Sequence, residues 1–236
     1  MIRRLAVIGD LHGEHGRLAR TLEWLHGQRL DAILCTGDVA DGRGCINLCC
    51  DLLAEASVNT VAGNHDRWLL EDRVRHLSDA HSEAELSAGS REFLEGLPRQ
   101  REFQTSLGRL LLCHGVGEND LAKVWPGTSQ SGIRRNAELD DLLRTADFRF
   151  LINGHMHFRV LIDFSELLLV NAGTLKGERG GVSLIDFDGG AVAAYEVGDQ
   201  GAPQRVSEHA LASQQRRVWR DTQEFDGTWT PVTLYE

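Results

Sequence analysis

Leu5-Ala6-Val7-Ile8-Gly9-Asp10-Leu11-His12-Gly13 is the stretch on which the reading of this chain turns. Four apolar residues in a row make a short buried strand, and a glycine followed by an acid ends it. The same order recurs downstream. Ala32–Thr36 runs into Gly37-Asp38-Val39-Ala40-Asp41, and Asn59–Ala62 runs into Gly63-Asn64-His65-Asp66. Arg109–Cys113 is followed by His114-Gly115, and Arg149–Ile152 by Asn153-Gly154-His155-Met156-His157. Helical spacing lies between these strands, at Glu14–Gly27, Gly44–Ala56, Asp66–His76 and Arg134–Thr145. After residue 160 the helices stop, and Glu166–Asn171, Val182–Phe187 and Ala191–Val197 read as strands in hairpin succession around Asp188-Gly189-Gly190. Strands alternating with helices and then strands alone predict an α/β protein. Its sheets are mixed, or two packed sheets, with helices outside.

The rest of the composition narrows the class. The chain has 236 residues, 42% hydrophobic and 25% charged, which is ordinary for a folded domain. No apolar run reaches the ~18–20 residues of a membrane span, and the N-terminus is too short in apolar residues for a signal peptide. A formal charge of −10 disfavours nonspecific DNA or anionic membrane as partners, while leaving room for a locally positive site. The five cysteines form no CxxC pair, so neither a disulfide framework nor a zinc ribbon is expected. They read as small core residues of a cytoplasmic protein.

Ligands in α/β sheets bind where the carboxyl ends of strands meet loops. Five strands here deliver Asp10, His12, Asp38, Asn64, His114, His155 and His157 to such ends. Any one of these alone is as well explained by a turn or a capped strand. Together they are three oxygen donors and four imidazoles, too many for one tetrahedral ion. They suit two divalent ions of the Mn, Fe, Zn or Ni type.

The series GDLHG, GDVAD, GNHD, CHG and GHMH resembles the five motifs of the calcineurin-like metallophosphoesterase superfamily. That resemblance implies an αβ/βα sandwich of two mixed β-sheets flanked by helices, with a dinuclear metal site at the strand C-terminal ends. It places one ion on Asp10, His12, Asp38 and His157, and the other on Asp38, Asn64, His114 and His155, with Asp38 as the bridge. It implies hydrolysis of phosphate mono- or diesters by in-line attack of a metal-bridging hydroxide, with a phosphorylated small molecule, nucleotide or phosphoprotein as substrate. His65 matches the family's catalytic histidine, and Asp41 stands where the protein phosphatases carry its carboxylate partner. The competing reading of Asp41 is a turn residue. Arg43 is a candidate phosphate clamp, although one inserted residue shifts its register.

The branch stays open. GDLHG and Asp41 resemble the serine/threonine protein phosphatases and dinucleoside tetraphosphatases, whereas the His155–His157 pair and Asn171-Ala172-Gly173-Thr174 resemble the phosphodiesterases. A non-catalytic protein-binding scaffold of the same fold is the remote alternative. The insert from Asp72 to Arg101 carries Arg73, Arg75, His76 and His81 beside the site and reads either as a solvated helical pair or as a segment that shapes substrate access. Residues 1–198 are expected to form the catalytic domain. The extension 199–236 is expected to dock on it, because Trp219 and Trp229 would not sit in a disordered tail.

Overall fold

In a computed structural model that describes residues 1–235, β1 (Arg4–Ile8) lies inside a six-stranded sheet. Its alternation fixes the layers. Ala6 and Ile8 face a cluster that includes Leu18, Leu25, Cys49 and Leu53 from helices, while Leu5 and Val7 face a second sheet through Leu110, Phe150 and Val170. Side chains two apart share a face of a strand, so one run of four apolar residues serves two cores.

The first sheet has the order β11-β10-β9-β1-β2-β3, with β2 (Ala32–Cys35), β3 (Asn59–Thr60), β9 (Gly181–Asp186), β10 (Ala191–Glu196) and β11 (Gln204–Ala210). β1, β2 and β3 are parallel, and β9 joins β1 antiparallel. The second sheet has the order β12-β7-β8-β6-β5-β4, with β4 (Gln100–Thr105), β5 (Gly108–Cys113), β6 (Phe150–Asn153), β7 (Arg159–Phe164), β8 (Leu168–Ala172) and β12 (Val218–Trp219). The short β13 (Val232–Thr233) also pairs with β7. Helices α1 (His15–His26), α2 (Ile46–Glu55), α3 (Asn64–Leu70) and α4 (Ala88–Glu95) lie with the first sheet. Helix α5 (Ala137–Thr145) and the C-terminal segment cover the second, through Leu139, Trp219, Phe225 and Trp229. The architecture is the expected sandwich of two mixed sheets with helices outside. All five cysteines are free thiols, four of them buried, and burial pushes the Cys113 thiol up to about 12.

Local differences have local causes. The helix expected over Asp66–His76 stops at Leu70, because Asp72 adopts a left-handed φ of 54°. Val74 and Leu77, which supplied the apolar spacing, are 47% and 49% exposed and have no core to meet. The insert after it holds one helix, α4, preceded by an irregular loop and a single 3-10 turn at Glu83–Glu85. β4, β7 and β11 were not legible as strands, since β4 and β11 are largely polar edge strands and β7 lies between motifs. Among the described residues no helix is long and apolar enough to cross a membrane.

Candidate metal centre

The parallel strands β1, β2, β5 and β6 all end at one edge of the sandwich, and each hands its polar residues to the gap between the sheets. Asp10 is fully buried there. Its Oδ1 accepts from Thr36 Oγ1 at 2.7 Å and its Oδ2 from the His155 backbone N–H at 2.8 Å. The two sheets are thereby tied together at the carboxylate. Asp38 Oδ1 accepts from the His65 N–H at 2.9 Å, leaving Oδ2 3.3 Å from His114 Nε2 and 3.8 Å from both His12 Nε2 and His65 Nε2.

The histidine rings are oriented by carbonyls. His12 Nδ1 donates to Ala40 O at 3.1 Å, and His114 Nδ1 donates to Thr36 O at 2.8 Å. Each ring therefore turns Nε2 toward the carboxylates, the arrangement that makes an imidazole a ligand. His12 Nε2 and His157 Nε2 are 3.0 Å apart, and Asn64 Oδ1 lies 3.1 Å from His114 Nε2. His155 Nε2 is buried and has no hydrogen-bond partner among the described residues. A buried polar nitrogen without a partner costs free energy unless something at the site satisfies it.

Two donor groups emerge. Asp10, His12, Asp38 and His157 present atoms within 4.8 Å of one another, and so do Asp38, His114 and His155. Asp38 belongs to both, and Asn64 adjoins the second. Imidazole, carboxylate and amide oxygen are a donor set for a pair of first-row divalent ions, and the orphaned His155 Nε2 fits that use. The side chain of His157 is 44% exposed, so the site opens to solvent on that side.

Strain is concentrated at this edge. Among the described residues eight non-glycine residues have positive φ, and five of them are His12, Asp38, Asp41, His155 and His157. Each such conformation costs ~1–3 kcal/mol and persists where the surroundings over-determine it. Two glycines are required by space instead. A Cβ on Gly63 would lie 2.1 Å from Asp38 Oδ1, and one on Gly154 would lie 2.0 Å from Asp10 Oδ1.

The charges follow from burial and neighbours. Burial, aided by the Asp38 charge, raises Asp10 to about 7. Burial would raise Asp38 as well, but His114, His65 and His12 hold it well below the usual carboxylate range. Burial alone would lower His114, yet Asp38 and Asp10 push it up to about 10. His155 and His157 are lowered to about 4 by burial and by neighbouring histidines, so both are neutral at pH 7.

His65 sits over this centre. Its Nδ1 is 2.7 Å from Asp41 Oδ2, and its Nε2 faces Asp38. Asp41 thus contacts His65 directly, as well as turning the chain. Arg43 is exposed and makes no hydrogen bond or ion pair among the described residues. Arg75 does reach the site: its Nη1 lies 3.4 Å and 3.5 Å from the two His65 ring nitrogens. Its guanidinium also lies 5.9 Å from the Trp68 ring. Lys176, paired with Asp79 at 2.9 Å, adds a cation near His12. Neither Arg75 nor Lys176 follows a strand of the recurring motif, so spacing alone gave no signal for them. His81 and Asn153 are likewise buried supports, Asn153 linking Gly115 O to Asn171 Nδ2.

A family model described as the calcineurin-like phosphoesterase superfamily domain matches residues 4–189. No curated protein matches the chain in sequence. Among solved structures, a metallophosphoesterase from Sphaerobacter thermophilus is 20% identical with a TM-score of 0.60, covering 89% of this chain and 90% of that one. YfcE, a phosphoesterase from E. coli, is 18% identical with a TM-score of 0.54, covering 89% of this chain and 100% of that one. A variant of Vps29 from Entamoeba histolytica is also 18% identical with a TM-score of 0.54, covering 89% and 99%. At these identities the likeness is one of fold.

Proposed function

The chain belongs to the calcineurin-like phosphoesterase superfamily, and from that premise we propose that it is a dinuclear, metal-dependent phosphoesterase of the cytoplasm. The observation that carries this reading is the sharing of Asp38 between two converging donor groups. One ion of the Mn, Fe, Zn or Ni class would sit on Asp10, His12, Asp38 and His157, and a second on Asp38, Asn64, His114 and His155. Such a pair supplies Lewis acidity toward phosphate oxygens and a water acidic enough to attack at neutral pH.

The chain's own residues supply the rest. Asp41 holds His65 by Nδ1, which leaves Nε2 aimed at the centre to give its proton to the departing oxygen. Arg75 stands beside that ring, where a phosphate oxygen would meet its guanidinium. Asp66, buried, accepts from the N–H groups of Ala40 and Gly63 and so braces the loops that carry Asp38 and Asn64. Five cysteines left as free thiols accord with a reducing compartment.

The test is a substrate panel on Mn²⁺-loaded protein: p-nitrophenyl phosphate, bis-p-nitrophenyl phosphate and a phosphopeptide, with elemental analysis of the same sample. Two ions per chain and hydrolysis of a phosphate ester are expected. Cleavage of the diester alone would point to the phosphodiesterase branch, and of the phosphopeptide to the protein-phosphatase branch. Two ions with no hydrolysis of any ester would favour the protein-binding scaffold.

A further inference from the structure

Beside the metal centre runs a cleft that the ester chemistry above does not use. Its inner part, about 290 Å³, is lined by His155 and Met156 at one end and by Lys123, Trp125 and Phe158. Its outer part, about 810 Å³, shares Trp125, Ser131 and Phe158 and continues to Trp229 and Tyr235. Phe158 therefore stands where the two parts meet, one residue after His157. It is 42% exposed and its ring is backed by Trp125 at 5.1 Å between ring centroids, so one face is held while the other meets the cleft.

The walls are built rather than incidental. On one side, Trp125 and Arg134 exchange backbone hydrogen bonds of 3.0 and 2.8 Å, and Trp125 Nε1 donates to Ser131 Oγ at 2.6 Å. On the other side, the N–H groups of Gly227 and Trp229 donate to Pro126 O and Gly127 O, each at 3.1 Å. Trp229 stacks edge-on against Trp125 at 5.1 Å. This second wall comes from residues after 189, where the family match ends.

Charge and polarity in the cleft are equally particular. In a chain of net charge −10, Lys123 and Arg134 have no acid within 4.0 Å among the described residues. Lys123 and His155 line the same inner cavity. Thr128, Ser129 and Gln130 on the first wall add hydroxyl and amide groups. An exposed aromatic face with unpaired cations on its metal side corresponds to a heteroaromatic base and its phosphate, and the outer hydroxyl and amide groups to the polar edge of that base.

We infer that this cleft binds the nucleoside part of a nucleoside phosphate, with the base against Phe158 and the phosphate toward Lys123 and the metal centre. The inference rests on the phosphoesterase reading for what happens to the phosphate, and on the cleft alone for the base. A simple aryl phosphate would use the ring but leave the hydroxyl–amide rim and the outer volume without a partner.

The test is calorimetric titration of the full Mn²⁺-loaded chain with AMP and with ribose 5-phosphate, which differ only in the base. AMP is expected to bind ~10-fold or more tighter, the scale of one stacked base. Phe158→Ala should bring that ratio close to one, and Phe158→Trp should restore it. Equal affinity for the two ligands in the wild type, or a ratio unchanged by Phe158→Ala, would overturn the inference even if phosphate esters are hydrolysed. Base-dependent binding in a protein that hydrolyses no ester would leave the cleft assigned and remove the phosphoesterase reading instead.

Discussion

Asp41 and His81 are joined by a reciprocal pair of hydrogen bonds: the Asp41 N–H donates to His81 Nδ1 at 3.0 Å, and the His81 N–H donates to Asp41 Oδ1 at 3.0 Å. Because Nδ1 accepts, the His81 ring carries its proton on Nε2, which donates to Gly44 O at 3.1 Å. Asp41 has a left-handed φ of 63°, and the clamp holds it there with Oδ2 on His65. His81 is thus a positioning residue for the carboxylate that positions His65.

His81→Ala should lower kcat by roughly 10-fold, with KM and metal content little changed, because the substrate and ions do not touch it. The loss should grow as the leaving group becomes more basic, since that is where a misplaced acid matters. A uniform loss across leaving groups, or loss of metal, would mean that His81 only supports the fold.

For the dyad itself, His65→Ala should lower turnover on alkyl-like leaving groups by ~10²–10⁴, and less on p-nitrophenolate, which needs little protonation. Asp41→Asn should reproduce much of that defect. The double variant should be hardly worse than the worse single one, as for groups that act as a unit. Multiplying losses in kcat/KM would separate the two residues.

The ligating edge was legible in sequence because each donor lies within a few residues of a strand end with a glycine at or beside the turn, and parallel strands must end on the same side. Asp41 was legible as a partner for His65 only through the family register; its geometry depends on His81, forty residues on. Arg75 and His81 reach the site through an irregular loop whose apolar spacing, Val74 and Leu77, suggested a helix. The cleft beyond Phe158 was not legible either, since its walls come from segments just over a hundred residues apart and meet through backbone hydrogen bonds. Local pattern encodes strand ends; it does not encode which loops return to them.

Metal loading should release protons. With no ion bound, His114 is raised to about 10 by Asp38 and Asp10 against the effect of burial, so at pH 7 it holds a proton that a metal must displace. Asp10, raised to about 7 by burial and Asp38, holds a second proton part of the time. Apparent metal affinity should therefore rise with pH, about tenfold per unit for the His114 proton, up to about 10. Calorimetric titration of Mn²⁺ at pH 7 in buffers of different ionisation enthalpy measures the number released. A value of zero would mean that His114 is already neutral before metal arrives.

The segment after residue 198 should prove inseparable from the fold. β11 pairs with β10 from Ala191↔Ala210 to Glu196↔Gln204, so removing it bares the edge of the first sheet. Leu211 and Leu234 belong to the core between the sheets, and Trp219, Phe225 and Trp229 to the core beside α5. Arg216 forks onto the Asp163 carboxylate of β7 at 2.7 and 2.8 Å. Losing one buried Phe or Trp costs ~3–5 kcal/mol, and a whole domain is stable by only ~5–15 kcal/mol. A chain ending at residue 198 should therefore fail to show a cooperative thermal transition and should bind a hydrophobic dye. Trp219→Ala, which removes one of these groups, should keep a cooperative transition but lower Tm by several degrees. A truncated chain that melts cooperatively at the full-length Tm would establish 1–198 as a domain that folds alone. The C-terminal wall of the cleft would then be an addition to that domain rather than part of its core.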